Sequence, residues 1–357
     1  MKIIDCDSHF IMNGIYKHVP SELQSKLPKY IFTEENRLDK INYDVDPVIN
    51  TDGEGPNTLH CTLPGMSYAP ARLEDLVKMK VDIQLIAPQE RAMRYNYSVE
   101  KELGIAMAHS YNIEIKKIID ANPDKFFAAA LIPLQDFDAG IEELKWAIAN
   151  GFKTIYVDYL YYDYDKKLGV AWSTVDRIKE IFKICEENNV VIFIHFFMHH
   201  KIKYEITELA KIITNNATMD FIELFFYDLL TSDILDCFPK LQFVVTEGAQ
   251  RVVGKILKNL NNAYTSSCDL FKGNKHFISY FKENIFFTID IEMKESFDIL
   301  MKYIGSKRLL FSTDYPHVDP SGLNKWNDTN DLLNSGLLQE DLENIAFRNA
   351  EKLFRLN

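Results

Sequence analysis

Short apolar runs that stop at a polar or charged residue alternate along this chain with longer stretches whose apolar positions recur every three or four residues. Eight such runs stand out: Lys2 to Asp5, Ile83 to Ala87, Ala128 to Pro133, Thr154 to Val157, Val190 to His195, Phe243 to Thr246, Ile285 to Thr288 and Leu309 to Ser312. They are mostly Val, Ile, Phe and Thr without strict alternation, the pattern of strands buried on both faces of a parallel sheet. The segments between them are helical. After the third run, Ile141, Leu144 and Ile148 share one face, Glu142, Glu143 and Lys145 fall elsewhere, and Asn150-Gly151 supplies the stop. Eight strands alternating with helices predict an α/β chain folded as a single (β/α)8 TIM barrel over residues 1–357.

One stretch breaks the rhythm. Ile11 to Pro70 is rich in Pro, Asn, Asp and Gly, as in Asp44-Val45-Asp46-Pro47 and Thr51-Asp52-Gly53-Glu54-Gly55-Pro56, and is too long for a simple βα connection. It is expected to be an insertion after the first strand at the barrel mouth, either a surface loop or a lid over a site.

Composition narrows the partners. At 357 residues and 47% hydrophobic content the chain can bury the core of one large barrel. A formal charge of -12 argues against nucleic acid or an anionic membrane and for a small-molecule substrate. Cys6, Cys61, Cys185, Cys237 and Cys268 are scattered, with no Cys-x-x-Cys pair, so neither a disulfide framework nor a thiolate metal site is indicated. Acids at Asp5 and Asp7 interrupt the N-terminal apolar run, and no apolar run is long enough to span a bilayer. A cytoplasmic protein is expected.

The chemistry gathers at strand ends. The first run leads into Asp5-Cys6-Asp7-Ser8-His9, where alternate side chains of an extended backbone share a face. Asp7 and His9 can therefore point together at one metal ion, with Asp5 deeper on the same side. His195 ends the fifth run, Glu247 follows the sixth in Thr246-Glu247-Gly248, and Asp314 follows the eighth in Ser312-Thr313-Asp314-Tyr315-Pro316-His317. Taken singly, each has an ordinary structural explanation: a satisfied core histidine at His195, a helix-capping carboxylate at Glu247. Together, on strands of one barrel, they predict a single site.

These residues resemble the amidohydrolase-related branch of the metal-dependent amidohydrolase superfamily, which includes aminocarboxymuconate semialdehyde decarboxylase and the resorcylate-type decarboxylases. Gly65 to Pro88, with Arg72-Leu73-Glu74-Asp75, and Asn349-Ala350-Glu351-Lys352-Leu353-Phe354 are similar to supporting motifs of that family. Two positions depart from it. Asp7-x-His9 stands where many members have His-x-His, and Glu247 stands where many have a histidine. The resemblance implies Asp7, His9, His195 and Asp314 as ligands of one divalent ion. Glu247 is then an acid/base or extra ligand, and His317 steadies Asp314 or faces substrate. Two imidazoles with two or three carboxylates suit zinc, with manganese or iron as alternatives.

Arg91 and Arg94 follow the second strand and could clamp a carboxylate; Tyr159, Tyr161, Tyr162 and Tyr164 crowd the loop after the fourth. An aromatic or unsaturated acid bound by Arg91, Arg94 and Tyr159 would suit both. Surface ion pairs and rim packing are the competing explanations. The function expected is a metal-dependent decarboxylase of a small aromatic or unsaturated carboxylic acid, with Asp314, Glu247 and His317 as catalytic groups. The alternative is a hydrolase using metal-bound hydroxide on an amide, ester, lactone or C–C bond. A second alternative, a non-catalytic barrel that binds a small molecule, would be free of metal. The sequence leaves the oligomeric state open; a homodimer is common in the family it resembles and would suit exposed apolar segments such as Phe221 to Leu230.

Overall fold

The structure is a computed structural model. It describes the chain apart from residues 11–12, 28, 33–37, 43–62, 89–99, 160, 164–167, 196–202, 205–220, 247–248, 292, 317–326 and 357. Eight parallel strands run in sequence order around a nearly closed barrel: β1 (Ile4–Asp5), β2 (Ile83–Pro88), β3 (Phe126–Leu131), β4 (Thr154–Tyr156), β5 (Val191–His195), β6 (Phe243–Thr246), β7 (Ile285–Ile289) and β8 (Leu309–Phe311). Every residue of these strands is buried except Ile83, which is partly so, and that is why the runs carry no alternation. The seam between the last strand and the first is drawn together by a hydrogen bond from Cys6 N to Phe311 O at 2.9 Å. Just beyond it, Asp314 N donates to Asp7 O at 3.0 Å and His9 N to Tyr315 O at 2.7 Å. The seam thus continues into the two polar strand ends.

Helices cover the barrel. Those used below are α1 (Ala69–Met79), α2 (Lys101–Ala121), α3 (Phe137–Ala149), α4 (Ile178–Asn188), α5 (Phe221–Thr231) and α6 (Ala249–Ser267). Asp136 caps α3 by accepting from Ala139 N at 2.9 Å, and the helix stops at Asn150 with Gly151 at φ +82°. The buried face of α3 is Gly140, Glu143, Leu144 and Ala147. Glu143 was expected on the polar side. It faces inward because α2 meets it with partners: Asn112 Nδ2 donates to Glu143 Oε1 at 2.7 Å, and His109 Nδ1 lies 2.8 Å from Oε2. A carboxylate so bonded can be buried at acceptable cost.

The expectation that Phe221 to Leu230 forms an exposed contact face is overturned. Phe225, Phe226, Tyr227, Leu229 and Leu230 are each at most 2% exposed. Phe226 stacks on Phe281 and Phe287, and Phe225 meets the edge of Trp172 and of Phe243. The apolar side chains of this helix are enclosed by neighbouring aromatics of its own chain, and its buried Glu223 accepts from Lys255 Nζ at 2.9 Å.

Within the stretch expected as an insertion, Lys29–Phe32 pairs antiparallel with Leu38–Asn42, off the barrel sheet. The turns before it are tied to α2: Ser110 Oγ donates to Ile15 O at 2.8 Å, and His18 N donates to Ser110 Oγ at 3.1 Å. No helix of the described residues is long and apolar enough to cross a membrane.

Candidate metal centre

Asp7 and His9 leave β1 in an extended path. Asp5 Oδ1 accepts from Asp7 N at 3.1 Å, and His9–Phe10 runs beside the end of β2, pairing with Ala87 and Pro88. Both side chains therefore project into the barrel mouth, as alternation predicted. His195 is the last residue of β5, paired with Thr246 of β6, and is wholly buried. Asp314 follows β8 at φ +52°, in the left-handed region that asparagine and aspartate tolerate better than most residues. That turn swings its carboxylate back over the mouth.

The four side chains converge. One ligand atom from each of Asp7, His9, His195 and Asp314 lies within 4.8 Å of all the others. His9 Nε2 stands 3.1 Å from His195 Nε2 and 3.2 Å from Asp314 Oδ1. His9 Nδ1 lies 3.0 Å from Pro88 O. A carbonyl only accepts, so Nδ1 carries the hydrogen, and in the neutral ring Nε2 presents its lone pair to the cluster. Ligands about 2.1 Å from a single ion stand roughly 3–4 Å apart, so the spacing fits one. The donor set fits as well, since two carboxylates and two imidazoles crowded into a buried mouth are costly without a cation to share. The cluster is graded in exposure: Asp7, His9 and His195 are at most 1% exposed, whereas the Asp314 side chain is 28% exposed. Asp314 is the member that faces the opening.

The residues holding this cluster were mostly missed from the sequence. Thr288 Oγ1 donates to Thr246 Oγ1 at 2.7 Å, and Thr246 Oγ1 donates to Asp7 Oδ2. One Asp7 oxygen is thereby engaged, which orients the carboxylate. Asp5 lies below and accepts from Gln84 Nε2 at 2.7 Å, Thr313 Oγ1 at 2.6 Å and Thr313 N at 3.0 Å. Burial nonetheless pushes its pKa up to about 6, the hydrogen bonds offsetting only part of that cost. Asp5 therefore braces the turn after β8 and is not a member of the cluster. Threonine within an apolar strand reads as strand propensity, so Thr246 and Thr288 gave no warning. Gln84 did: a lone amide inside Ile83-Gln84-Leu85-Ile86 must find partners once that strand is buried.

Residues 4–356 match the sequence profile of the amidohydrolase family. The chain belongs to it. This amidohydrolase is 26% identical over 278 residues to gamma-resorcylate decarboxylase of Rhodococcus jostii, covering 72% of this chain and 79% of that one. In fold it is similar to 2,6-dihydroxybenzoate decarboxylase complexed with 2,6-dihydroxybenzoate, at TM-score 0.69 and 19% identity over 100% of both chains. It is also similar to a dihydroxybenzoic acid decarboxylase from a Polaromonas species with bound manganese and the inhibitor 2-nitroresorcinol, at TM-score 0.69 and 16% identity, covering 100% of this chain and 97% of that one.

The remaining expected site residues of this amidohydrolase are less complete. Tyr159 follows β4 and is 1% exposed, within the hydrophobic core. Glu247, His317, Arg91 and Arg94 lie outside the described residues, as does Tyr164.

Proposed function

We propose that this amidohydrolase is a metal-dependent decarboxylase of a small aromatic or unsaturated carboxylic acid. The observation that carries the reading is the Asp7, His9, His195 and Asp314 cluster at the barrel mouth, in a chain related over most of its length to gamma-resorcylate decarboxylase. Asp7, His9, His195 and Asp314 would hold one divalent ion. Two imidazoles with two carboxylates suit zinc, and manganese is the competing choice, being the ion in the Polaromonas neighbour. When bound, such an ion supplies positive charge that binds the substrate carboxylate and a neighbouring oxygen and stabilises the negative charge of the transition state.

The chain's own residues do the rest. Asp314 faces the opening, so its carboxyl can hold the proton that the substrate carbon receives. The C–C bond to the carboxylate then breaks, CO2 leaves, and the electron pair left on the ring restores its aromaticity. His9 is held in place by its bond to Pro88 O. Glu247 is proposed as a second acid/base, His317 as a substrate-facing residue, Arg91 and Arg94 as a carboxylate clamp, Tyr159 as pocket wall, and the Ile11 to Pro70 insertion as a lid.

The test is CO2 release from a panel of hydroxylated benzoates, 2,6-dihydroxybenzoate first, and of unsaturated acids, by protein loaded with zinc or with manganese. Stoichiometric CO2 and decarboxylated product, abolished by His195→Ala, are expected. Acid release from esters, lactones or amides with no CO2 from any acid would overturn decarboxylation in favour of hydrolysis.

A further inference from the structure

Arg72 of α1 is fully buried, at 0% exposure, and nothing in the chemistry above uses it. A guanidinium cut off from water is costly, and burial pulls its pKa down to about 10, so its donors need partners. They have them. Nε donates to Gly65 O at 2.8 Å, one terminal nitrogen donates to Gln84 Oε1 at 2.9 Å, and the other donates to the backbone carbonyl of His9. The guanidinium also lies over the Tyr315 ring, 4.2 Å from its centroid.

Three of these contacts lead to ligand-bearing segments. The bond to His9 O does so directly. Tyr315 is the neighbour of Asp314, and its hydroxyl donates at 2.6 Å to Oδ2 of Asp75, one turn further along α1. Gln84 extends the third contact: its Nε2 donates to Asp5 Oδ2 at 2.7 Å, and Asp5 accepts from Asp7 N at 3.1 Å and Thr313 N at 3.0 Å. We infer that Arg72 is a positioning residue for the metal centre, one buried guanidinium that, with Gln84 and Asp5, fixes the segments presenting Asp7, His9 and Asp314. Lysine could not replace it, because one ammonium cannot make three divergent in-plane bonds and a ring stack. The competing explanation, that Arg72 only packs α1 on the barrel, makes no demand on ligand geometry.

The inference rests on the reading that the four-residue cluster binds a divalent ion. Its test is cobalt titration of chelator-stripped full-length protein, following the cobalt d–d absorption, in wild type, Arg72→Lys, Gln84→Leu and Glu143→Gln. Glu143 is a buried, hydrogen-bonded acid between α2 and α3, so its substitution controls for general loosening. Arg72→Lys and Gln84→Leu are expected to bind cobalt about 10- to 100-fold more weakly, with shifted d–d bands, while Glu143→Gln matches wild type. Wild-type affinity and spectrum in folded Arg72→Lys and Gln84→Leu overturn the inference while leaving the metal site intact. If Arg72→Lys fails to fold, Gln84→Leu alone decides by the same criterion. Equal weakening in Glu143→Gln also overturns it. No cobalt binding by wild type overturns the metal reading itself, and this inference with it.

Discussion

His9 Nε2 and His195 Nε2 face each other across 3.1 Å, carried to that point by the segment that follows the first strand and by the end of the fifth strand of an eight-strand barrel. Two imidazoles brought in from opposite sides, ring centroids 4.8 Å apart and planes at 75°, meet edge to face. With the Asp314 carboxylate 3.2 Å from His9 Nε2, they form a donor set aimed at one point.

The hydroxyl relay Thr288 to Thr246 to Asp7 orients a proposed ligand. Thr246→Val keeps the shape and removes the donor. Divalent metal affinity, measured by chelator competition, is expected to fall about 10- to 100-fold with little change in the stability of the metal-free protein.

Asp314 combines its proposed ligand role with a left-handed backbone. Asp314→Asn and Asp314→Ala both lose the charge, and both are expected to lose metal and activity. They should differ in stability. Asparagine tolerates φ +52°, whereas alanine there should cost about 1 kcal/mol more, read by urea unfolding of the metal-free proteins.

Glu114 on α2 anchors the turns before the antiparallel hairpin. Burial would raise its pKa, but hydrogen bonds from Lys117, Lys17 and His18 outweigh it and hold the carboxyl down to about 2, from 4.5. A depressed acid contributes stability above its unfolded pKa and loses it as pH falls through the folded one. Glu114→Gln is therefore expected to lower stability at pH 7 by about 1–2 kcal/mol, discounted because its lysine partners are half exposed. Thermal melts should show the gap closing from about pH 4.5 to about pH 2.

Phe226 lies in the core and not at a contact face. Phe226→Ala is expected to cost about 3–5 kcal/mol in urea unfolding, with the sedimentation coefficient of the folded protein unchanged. A dissociated assembly at undiminished subunit stability would return the helix to an interface.

Most of the barrel was legible because a doubly buried parallel strand must be apolar throughout, and each such run ends where the polar mouth begins. The convergence of Asp7, His9, His195 and Asp314 follows from that geometry, since strand ends of one barrel share one opening. What supports them was less legible, for physical reasons. Arg72-Leu73-Glu74-Asp75 resembles a family motif, but its charged pattern alone gives no sign that Arg72 is buried under β2 and the strand ends. Glu143 looks solvent-facing on its own helix, and only Asn112 and His109 of α2 make it an inner residue. Phe221 to Leu230 gives no sign of which neighbours cover it, because an apolar helix can meet its own core or another chain.

The most direct measurement is metal content by plasma mass spectrometry on protein purified without tag or chelator, alongside Asp7→Ala and His195→Ala. About one zinc, manganese or iron per chain, lost in both variants, is predicted. Wild-type protein that holds no divalent ion, even after reconstitution with zinc and with manganese, would contradict the account at its centre.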